Sequence, residues 1–316
     1  MLKIGVQTQN VIIDDDPYEG FERLARAGFT CADFSLNAYL INKKIYKSEN
    51  NGFFDKTTDE LIEYFTPHRE AASKYGITIN QMHMPYPVYV PNGKNGINEY
   101  LWNEVAVKSM EICRFLNCPN IVIHGFKLTK YFGSEEAEWN KTREFIEYLA
   151  PMARKNGIVI CMENLYNSLG SHKIEGPGCN AVMSARRIDE LNDKFGAEVC
   201  GFCLDTGHAN LIGIDMESFI RTLGSRLKVV HLHDNDGLAD LHQIPYTFTR
   251  TRENDPILDW NGFIRGMRSI SFDGVLSFET APVIKAFPDE LKDDVLKFIA
   301  GIGRYFAKEI SGNNEQ

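Results

Sequence analysis

Short apolar runs alternate with longer amphipathic segments along the whole chain. Each run is bounded by glycine or polar residues and has the length of a buried strand. The eight runs predicted to be strands are Lys3–Thr8, Phe29–Leu36, Ile77–His83, Asn120–His124, Gly157–Glu163, Val199–Leu204, Leu227–His231 and Gly274–Glu279.

Amphipathic segments with helix-start and helix-stop residues separate these strands. Asp16 is a predicted N-cap and Gly28 a predicted stop for the first helix, and Ser134 is predicted to cap the fourth. The glycine- and serine-containing stretch Asn164–Gly178 is predicted to be a loop. The predicted helices are Pro17–Ala27, Thr58–Tyr75, a segment ending near Asn117, Ser134–Lys155, Asn180–Phe195, Asp215–Leu223, Asp259–Ile270 and Pro288–Ile310.

Strict alternation of strands and helices predicts an α/β protein with a single (β/α)8 TIM barrel, formed as one domain by residues 1–316. The alternative is a doubly wound open sheet, which is expected to have a glycine-rich turn after its first strand. Thr8-Gln9-Asn10 follows that strand here, so the barrel is favoured. In a barrel, all the strand C-termini share one face, where active sites lie.

The composition is that of an ordinary globular protein, with 43% hydrophobic and 24% charged residues and a net charge of −9. An acidic chain without a basic block disfavours nucleic-acid binding. No apolar run reaches transmembrane length, and Met1 leads directly into the first predicted strand without an apolar leader, so we expect a cytoplasmic protein that binds no membrane.

The chain has seven cysteines, most of them inside apolar runs, as expected for reduced core thiols. Cys200 and Cys203 have C-x-x-C spacing. Because residues three apart in a strand point to opposite faces, this pair is predicted to have no metal or redox role.

Four predicted strands in succession, the fifth to the eighth, end on a residue that can bind a metal. These residues are Glu163, Asp205, His231 and Glu279. Three carboxylates brought together at the mouth of a barrel would repel one another unless a cation offset their charge. The mixed nitrogen and oxygen donors suit one Mn, Co or Zn ion better than Mg. The alternative is a network of hydrogen bonds and ion pairs without a metal.

More histidines are expected on the same face. His83 and His124 end the third and fourth predicted strands, and His208 follows Asp205 by three residues. His233 and His242 follow the seventh strand; His208 is the strongest of the five candidates and His233 the weakest. Together they indicate a polar, hydroxylated or anionic substrate, or additional metal ions.

The motifs around these residues resemble a known superfamily. Through Met162-Glu163-Asn164, Leu204–His208, His231–Asp236 and Phe278-Glu279-Thr280 the chain resembles the xylose-isomerase-like TIM barrels. These include sugar isomerases and epimerases, inositol-pathway enzymes and the endonuclease IV class of DNA repair enzymes. The resemblance implies that Glu163, Asp205, His231 and Glu279 bind one divalent metal, that His208 contacts substrate and that the two glutamates transfer protons.

The expected function is therefore a metal-dependent isomerase or epimerase of a small sugar, sugar phosphate or polyol-derived ketone, working through an enediolate. Glu163 and Glu279 would be catalytic, and the residues expected to bind substrate are His208, His83, His124 and His242. A metal-dependent dehydratase or lyase would begin with the same proton abstraction. A non-catalytic metabolite-binding barrel is disfavoured because all four metal-binding residue types are present.

The endonuclease IV branch supplies the second interpretation. The resemblance implies a zinc phosphodiesterase acting on apurinic DNA, and His83-Met-Pro-Tyr86 is similar to a motif of that branch. We rank it second because sugar enzymes share many of the same positions and because the chain is acidic. The nine residues that would hold its three zinc ions are His83, His124, Glu163, Asp205, His208, His231, Asp240, His242 and Glu279.

One segment departs from the family pattern. Many relatives turn quickly through Pro-Gly-x-Gly after Asp-x-His, whereas the chain continues after His242 through a longer stretch without glycines. This leaves the roles of Asp240 and His242 open. It also makes Arg250 and Arg252 candidates for binding a phosphate or carboxylate, the alternative being an exposed loop. The sequence leaves homo-oligomerisation open.

Overall fold

Eight parallel strands form the centre of the molecule in a computed structural model, which describes residues 2–12, 14–50, 52–128, 133–248 and 257–312. We number the barrel strands one to eight in chain order. They are Lys3–Gln7, Cys31–Ser35, Thr78–His83, Asn120–His124, Val159–Glu163, Cys200–Asp205, Leu227–His231 and Val275–Phe278.

Strands one to seven each pair in parallel with their neighbours in chain order, and strand eight pairs with strand one. Strands seven and eight are joined by a short bridge between Leu232 and Phe278. There the Leu232 amide donates to the Ser277 carbonyl at 2.8 Å, and the Glu279 amide donates to the Leu232 carbonyl at 3.1 Å. The predicted TIM barrel is confirmed.

The helices lie between the strands, close to their predicted positions. Asp16 caps the first helix by accepting from the Glu19 amide at 3.0 Å, and Gly28 ends it with a φ of 95°. Both predictions are confirmed. The main helices are Pro17–Ala27, Thr58–Lys74, the continuous segment 97–115, Glu135–Asn156, Ala181–Phe195, Met216–Leu223, Trp260–Ser269 and Asp289–Ser311. No helix in these ranges is long and apolar enough to cross a membrane.

Several local features differ from the sequence-based expectation. Tyr166–Leu169 and His172–Glu175 form an antiparallel hairpin inside the stretch predicted to be a loop. Its two-residue turn begins at Gly170 with a φ of 63°, the conformation that closes tight hairpins. Ser134 occupies the N-cap position, but its hydroxyl donates to the Glu138 carboxylate instead of capping a backbone amide.

Three short α-helices in the described part of the chain were also not predicted. They are Asn42–Ile45, Thr206–Leu211 and Ala281–Ala286. Each has four to six residues, too few to show a helical period in the sequence. The last two follow strands six and eight directly, so they shape the face at which those strands end.

A small apolar layer inside the barrel supports the site above it. It consists of Val122, Cys161, Cys203 and Val229, all fully buried, on strands four to seven. Because side chains two residues apart point to the same side of a strand, the next inward positions carry the polar residues of the strand ends. All seven cysteines are buried and unpaired, in agreement with the expected reduced thiols.

Candidate metal centre and active site

The inward positions above the apolar layer bring together side chains from four neighbouring strands. His124, Glu163, Asp205 and His231 each lie two residues beyond a member of that layer. His124 pairs with Glu163 in the sheet register, and Asp205 pairs with His231. Barrel geometry therefore turns four separate strand ends into one cluster.

The four predicted metal-binding residues meet at this level. Glu163, Asp205, His231 and Glu279 each offer one donor atom, and these atoms all lie within 4.8 Å of one another. His231 Nδ1 is 3.5 Å from Glu163 Oε1 and 3.3 Å from Glu279 Oε2. This mixed nitrogen and oxygen set is of the kind that binds Mn, Co or Zn.

The donor chemistry fits a metal ion. Glu163 Oε2 and His231 Nδ1 are buried, and although charged groups lie 3.2–3.5 Å from each, neither atom is aligned for a hydrogen bond with any described residue. Buried polar atoms are normally paired, because leaving one unpaired costs about 1–3 kcal/mol. A shared cation would satisfy both atoms.

Two of the four side chains, Glu279 and Asp205, are oriented by neighbours. Gln7 Nε2 donates to Glu279 Oε1 at 2.6 Å. Asp205 Oδ1 accepts from the His208 amide at 2.6 Å, and Asp205 Oδ2 lies 2.9 Å from His233 Nε2. Supporting hydrogen bonds of this kind fix the direction in which ligands point.

Glu163 is surrounded by imidazoles. Its Oε2 lies 3.4 Å from His83 Nε2 and 3.2 Å from His124 Nε2, while its Oε1 lies 3.3 Å from His208 Nδ1. Burial disfavours the charged carboxylate, but the positive potential of His124 and His231 outweighs it and holds the pKa of Glu163 well below its usual range. Glu163 is thus an anion shared by several partners.

His83 and His124 form a pair at the mouth. Their Nε2 atoms are 3.2 Å apart, and His83 Nδ1 lies 2.7 Å from the Met84 carbonyl. The Tyr86 ring stacks on His124 at a centroid distance of 4.5 Å. Tyr86 therefore fixes the orientation of the more exposed imidazole of the pair.

His208, Asp240 and His242 form a second group of side chains. Asp240 Oδ2 lies 3.2 Å from His208 Nε2 and 3.3 Å from His242 Nε2. Burial opposes a charge on His242, but the Asp240 carboxylate outweighs it and raises the pKa of His242 to about 10. Asp240 and His242 therefore reach the site, although the stretch that follows His242 departs from the family pattern. Arg250 and Arg252 lie outside the described residues.

His233, ranked weakest from the sequence, occupies a supporting position. It is fully buried beside Asp205, and its ring stacks on His242 at 4.0 Å. Gln7 and Asp33 were not predicted to contribute. Gln7 is a polar residue at a strand end, the signal used for the other positions, and Asp33 is an acidic residue inside an apolar strand.

A cavity of about 450 Å³ opens beside the four donors and is lined by two of them, Glu163 and Glu279. Asn10, Asn37 and Lys285 line its wall together with site residues, so it presents mainly amide, imidazole and carboxylate groups. A second cavity of about 270 Å³ adjoins it beside Tyr86 and contains Lys127. Polar walls of this kind suit a small hydroxylated ligand.

Comparison with known proteins supports this assignment of fold and family. The model of the xylose isomerase-like TIM barrel family matches residues 21–299. An uncharacterised protein of Sinorhizobium fredii, y4fM, is 25% identical over 205 residues, which are 62% of this chain and 60% of that protein. The chain thus matches about 60% of the length of this relative.

Solved structures share the fold over nearly the whole chain. A D-psicose 3-epimerase determined in the presence of D-fructose has a TM-score of 0.66 at 15% identity, covering 96% of this chain and 99% of that one. The 3-keto-D-glucoside 4-epimerase YcjR of E. coli gives 0.64 at 14%, covering 96% and 100%. An L-ribulose 3-epimerase gives 0.63 at 15%, covering 100% of both. The chain belongs to the xylose isomerase-like TIM barrel family.

Proposed function

We propose that the protein is a divalent-metal-dependent isomerase or epimerase of a small sugar, sugar phosphate or keto-polyol. The observation that carries the proposal is the convergence of Glu163, Asp205, His231 and Glu279, two of which, Glu163 and Glu279, line a polar cavity. The family membership and the fold shared with sugar epimerases support it.

The four convergent side chains would hold one Mn, Co or Zn ion. When bound, such an ion supplies Lewis acidity, which makes the hydrogen on the carbon beside a carbonyl group easier to remove. The remaining chemistry belongs to the side chains.

Glu163 and Glu279 are the proposed proton-transfer pair. Gln7 engages Glu279 Oε1, which leaves Oε2 directed toward the centre of the site. One glutamate takes the proton from the carbon beside the carbonyl, and the C–H electrons pass into an enediolate. The other, protonated at the start of the cycle, gives its proton to the opposite face for epimerisation or to the neighbouring carbon for isomerisation. Proton exchange with solvent then restores both glutamates to their starting states.

The imidazoles are proposed to bind substrate oxygens. His208 is held by the Asn164 carbonyl at Nδ1 and by Asp240 at Nε2, so its ring has a fixed orientation beside Glu163. His83 and His124 would contact hydroxyl groups further from the reacting carbon, and His242 lines the same cavity. A hydroxylated substrate can pair with each of these groups.

Metal content is the first test. Mass spectrometry on protein purified without chelators or a metal-affinity column should give about one equivalent of Mn, Co or Zn per chain. The Glu279→Ala variant should lose it, while Glu175→Gln, which changes an exposed glutamate of the hairpin, should keep it. A wild-type protein that takes up no divalent metal would refute the metal dependence.

Hydrogen exchange tests the acid–base roles. A panel of free and phosphorylated ketoses is incubated in deuterated water with metal in excess, and exchange of the substrate's α-hydrogen is followed by NMR. Glu279→Gln should slow exchange about 10²–10⁴-fold, the usual contribution of a positioned acid or base. Full exchange in that variant would refute the assignment of Glu279.

A zinc phosphodiesterase acting on apurinic DNA is the second candidate. All nine residues implied by that resemblance lie on the same face, including Asp240 and His242. The net charge of −9 disfavours it, and Lys127 and Lys285 are the only lysine or arginine residues that line the two cavities at the mouth within the described residues. Two to three zinc ions per chain and cleavage of abasic DNA would reverse the ranking.

A further inference from the structure

Asp33 is a fully buried carboxylate inside the barrel, on strand two. Within the described ranges, no lysine or arginine nitrogen lies within 4 Å of it, and the only ion-pair contact is with His231 Nε2 at 3.1 Å. Taking a carboxylate out of water without a partner is costly. Packing alone therefore does not account for a carboxylate at residue 33.

Gln81 ties this carboxylate to the site. Its Nε2 donates to Asp33 Oδ2 at 3.1 Å and also to the Val230 carbonyl at 3.3 Å. Val230 immediately precedes His231, so one amide links Asp33 to the backbone that carries the imidazole. The side chains of Asp33, Gln81 and His231 are fully buried, which limits the orientations open to the imidazole ring of His231.

The two nitrogens of His231 face different groups. Nε2 lies 3.1 Å from Asp33 Oδ2, an ion-pair contact that is not aligned as a hydrogen bond, whereas Nδ1 lies 3.5 Å from Glu163 Oε1 and 3.3 Å from Glu279 Oε2. A neutral imidazole carries one N–H, and a carboxylate acceptor stabilises that hydrogen on the nitrogen beside it. With the hydrogen on Nε2, the lone pair of Nδ1 points into the four-donor cluster.

We propose that Asp33 is a positioning residue that sets the tautomer and orientation of His231, so that Nδ1 is the atom available to a metal. The inference rests on the proposed metal-dependent function. It also assigns a role to the buried charge on strand two, whose carboxylate makes its polar contacts with His231 and Gln81 among the described residues.

The test compares Asp33→Asn and Asp33→Ala with wild type. Ser277→Ala is the matched control, because it removes another buried polar group of the barrel that has no hydrogen-bond partner in the described part of the chain. Mn²⁺ affinity is measured by calorimetry, and thermal unfolding is measured on the metal-free proteins. Burial opposes a charge on the His231 ring, but the groups around it, Glu279 and Glu163 among them, outweigh burial and raise the pKa of His231 well above its ordinary value. The tautomer is therefore read from ¹⁵N NMR of metal-free protein at a pH high enough for the ring to be neutral, with the signal assigned by its loss in His231→Gln.

Wild type is expected to show the Nε2–H tautomer and to bind Mn²⁺. Both Asp33 variants should bind it about 10–100-fold more weakly, the usual effect of removing the partner of a histidine ligand. The hydrogen on the His231 ring should redistribute in them, and Ser277→Ala should match wild type in both respects. Metal-free Asp33→Asn should unfold at no lower temperature than wild type, because the variant removes a buried charge.

The possible failures are distinguishable. If wild type binds no divalent metal, the proposed function fails, and the metal-positioning role fails with it. If wild type binds Mn²⁺ and both Asp33 variants bind it equally well with an unchanged tautomer, the role of Asp33 is overturned while the metal site stands. An equal loss of affinity in Ser277→Ala would overturn it too, because the effect would then be one of general packing.

Discussion

Gly207, in the motif Asp205-Thr206-Gly207-His208, provides a stringent test of the site's packing. A Cβ at this position would lie 2.0 Å from Cε1 and 2.4 Å from Nδ1 of His233. Gly207 lies in the helix Thr206–Leu211, where replacing glycine by alanine normally stabilises the protein by up to about 1 kcal/mol. Steric overlap and helix propensity therefore predict opposite signs for Gly207→Ala.

The surroundings of His233 decide which effect prevails. The ring stacks on His242 at 4.0 Å, and its Nε2 contacts Asp205 Oδ2 at 2.9 Å. Moving the ring would therefore disturb both contacts. Overpacking a well-packed site costs about 1–3 kcal/mol, and a hydrogen bond to a charged group contributes about 1.5–3 kcal/mol. After the gain in helix propensity, Gly207→Ala is expected to lower the free energy of unfolding by about 2–5 kcal/mol.

Urea unfolding of the metal-free proteins, followed by circular dichroism, measures this difference. Gly301→Ala is the control, because a Cβ there meets only the Arg304 guanidinium, at 3.6 Å. Gly301 lies in the helix Asp289–Ser311, so its replacement should be neutral or stabilise by up to about 1 kcal/mol. If Gly207→Ala were as stable as wild type, His233 would not be fixed against Asp205, and the reasoning would be wrong.

Two further predictions concern the histidines. The pKa of His242 in the folded protein is about 10, above its ordinary value of 6.5. Its contact with Asp240 therefore stabilises the metal-free protein fully below pH 6.5, and this stabilisation is lost as the pH rises through 10. The free energy of unfolding should thus fall more between pH 6.5 and 10 in wild type than in His242→Gln; equal slopes by urea unfolding would contradict the pairing. His124→Ala should keep about one metal equivalent and raise KM for the sugar substrate, whereas loss of a zinc ion would favour the phosphodiesterase.

The barrel and the four-donor cluster could be predicted because both follow from one local pattern. Each apolar run ends on a polar residue or is followed at once by one, and side chains two apart on a strand share a face. The position of Glu163 above Cys161 can therefore be predicted from the local sequence alone. Once a barrel is assumed, parallel strands place these ends together. The same reasoning brought His83, His124 and His208 to the site.

The remaining features depend on contacts between segments distant in sequence. The hairpin Tyr166–Glu175 has no alternation of polar and apolar residues, because its side chains are only partly buried. The return of Asp240 depends on how the chain folds after strand seven, which includes an antiparallel bridge between Asp234 and Gln243. Asp33 is recognisable as an acidic residue in an apolar strand, but its partner His231 is nearly two hundred residues away.

The seam between strands seven and eight has a consequence for the dynamics of the barrel. These two strands share one short bridge, whereas the other neighbouring strands pair over three to five positions. His231 ends one of them and Glu279 follows the other, so a metal ligated by both would connect the two strands across this weakly bonded join. Amide hydrogens around Leu232 and Phe278 should then exchange with solvent faster in metal-free protein than in metal-bound protein. The concentration of free metal would thus set how often strands seven and eight separate.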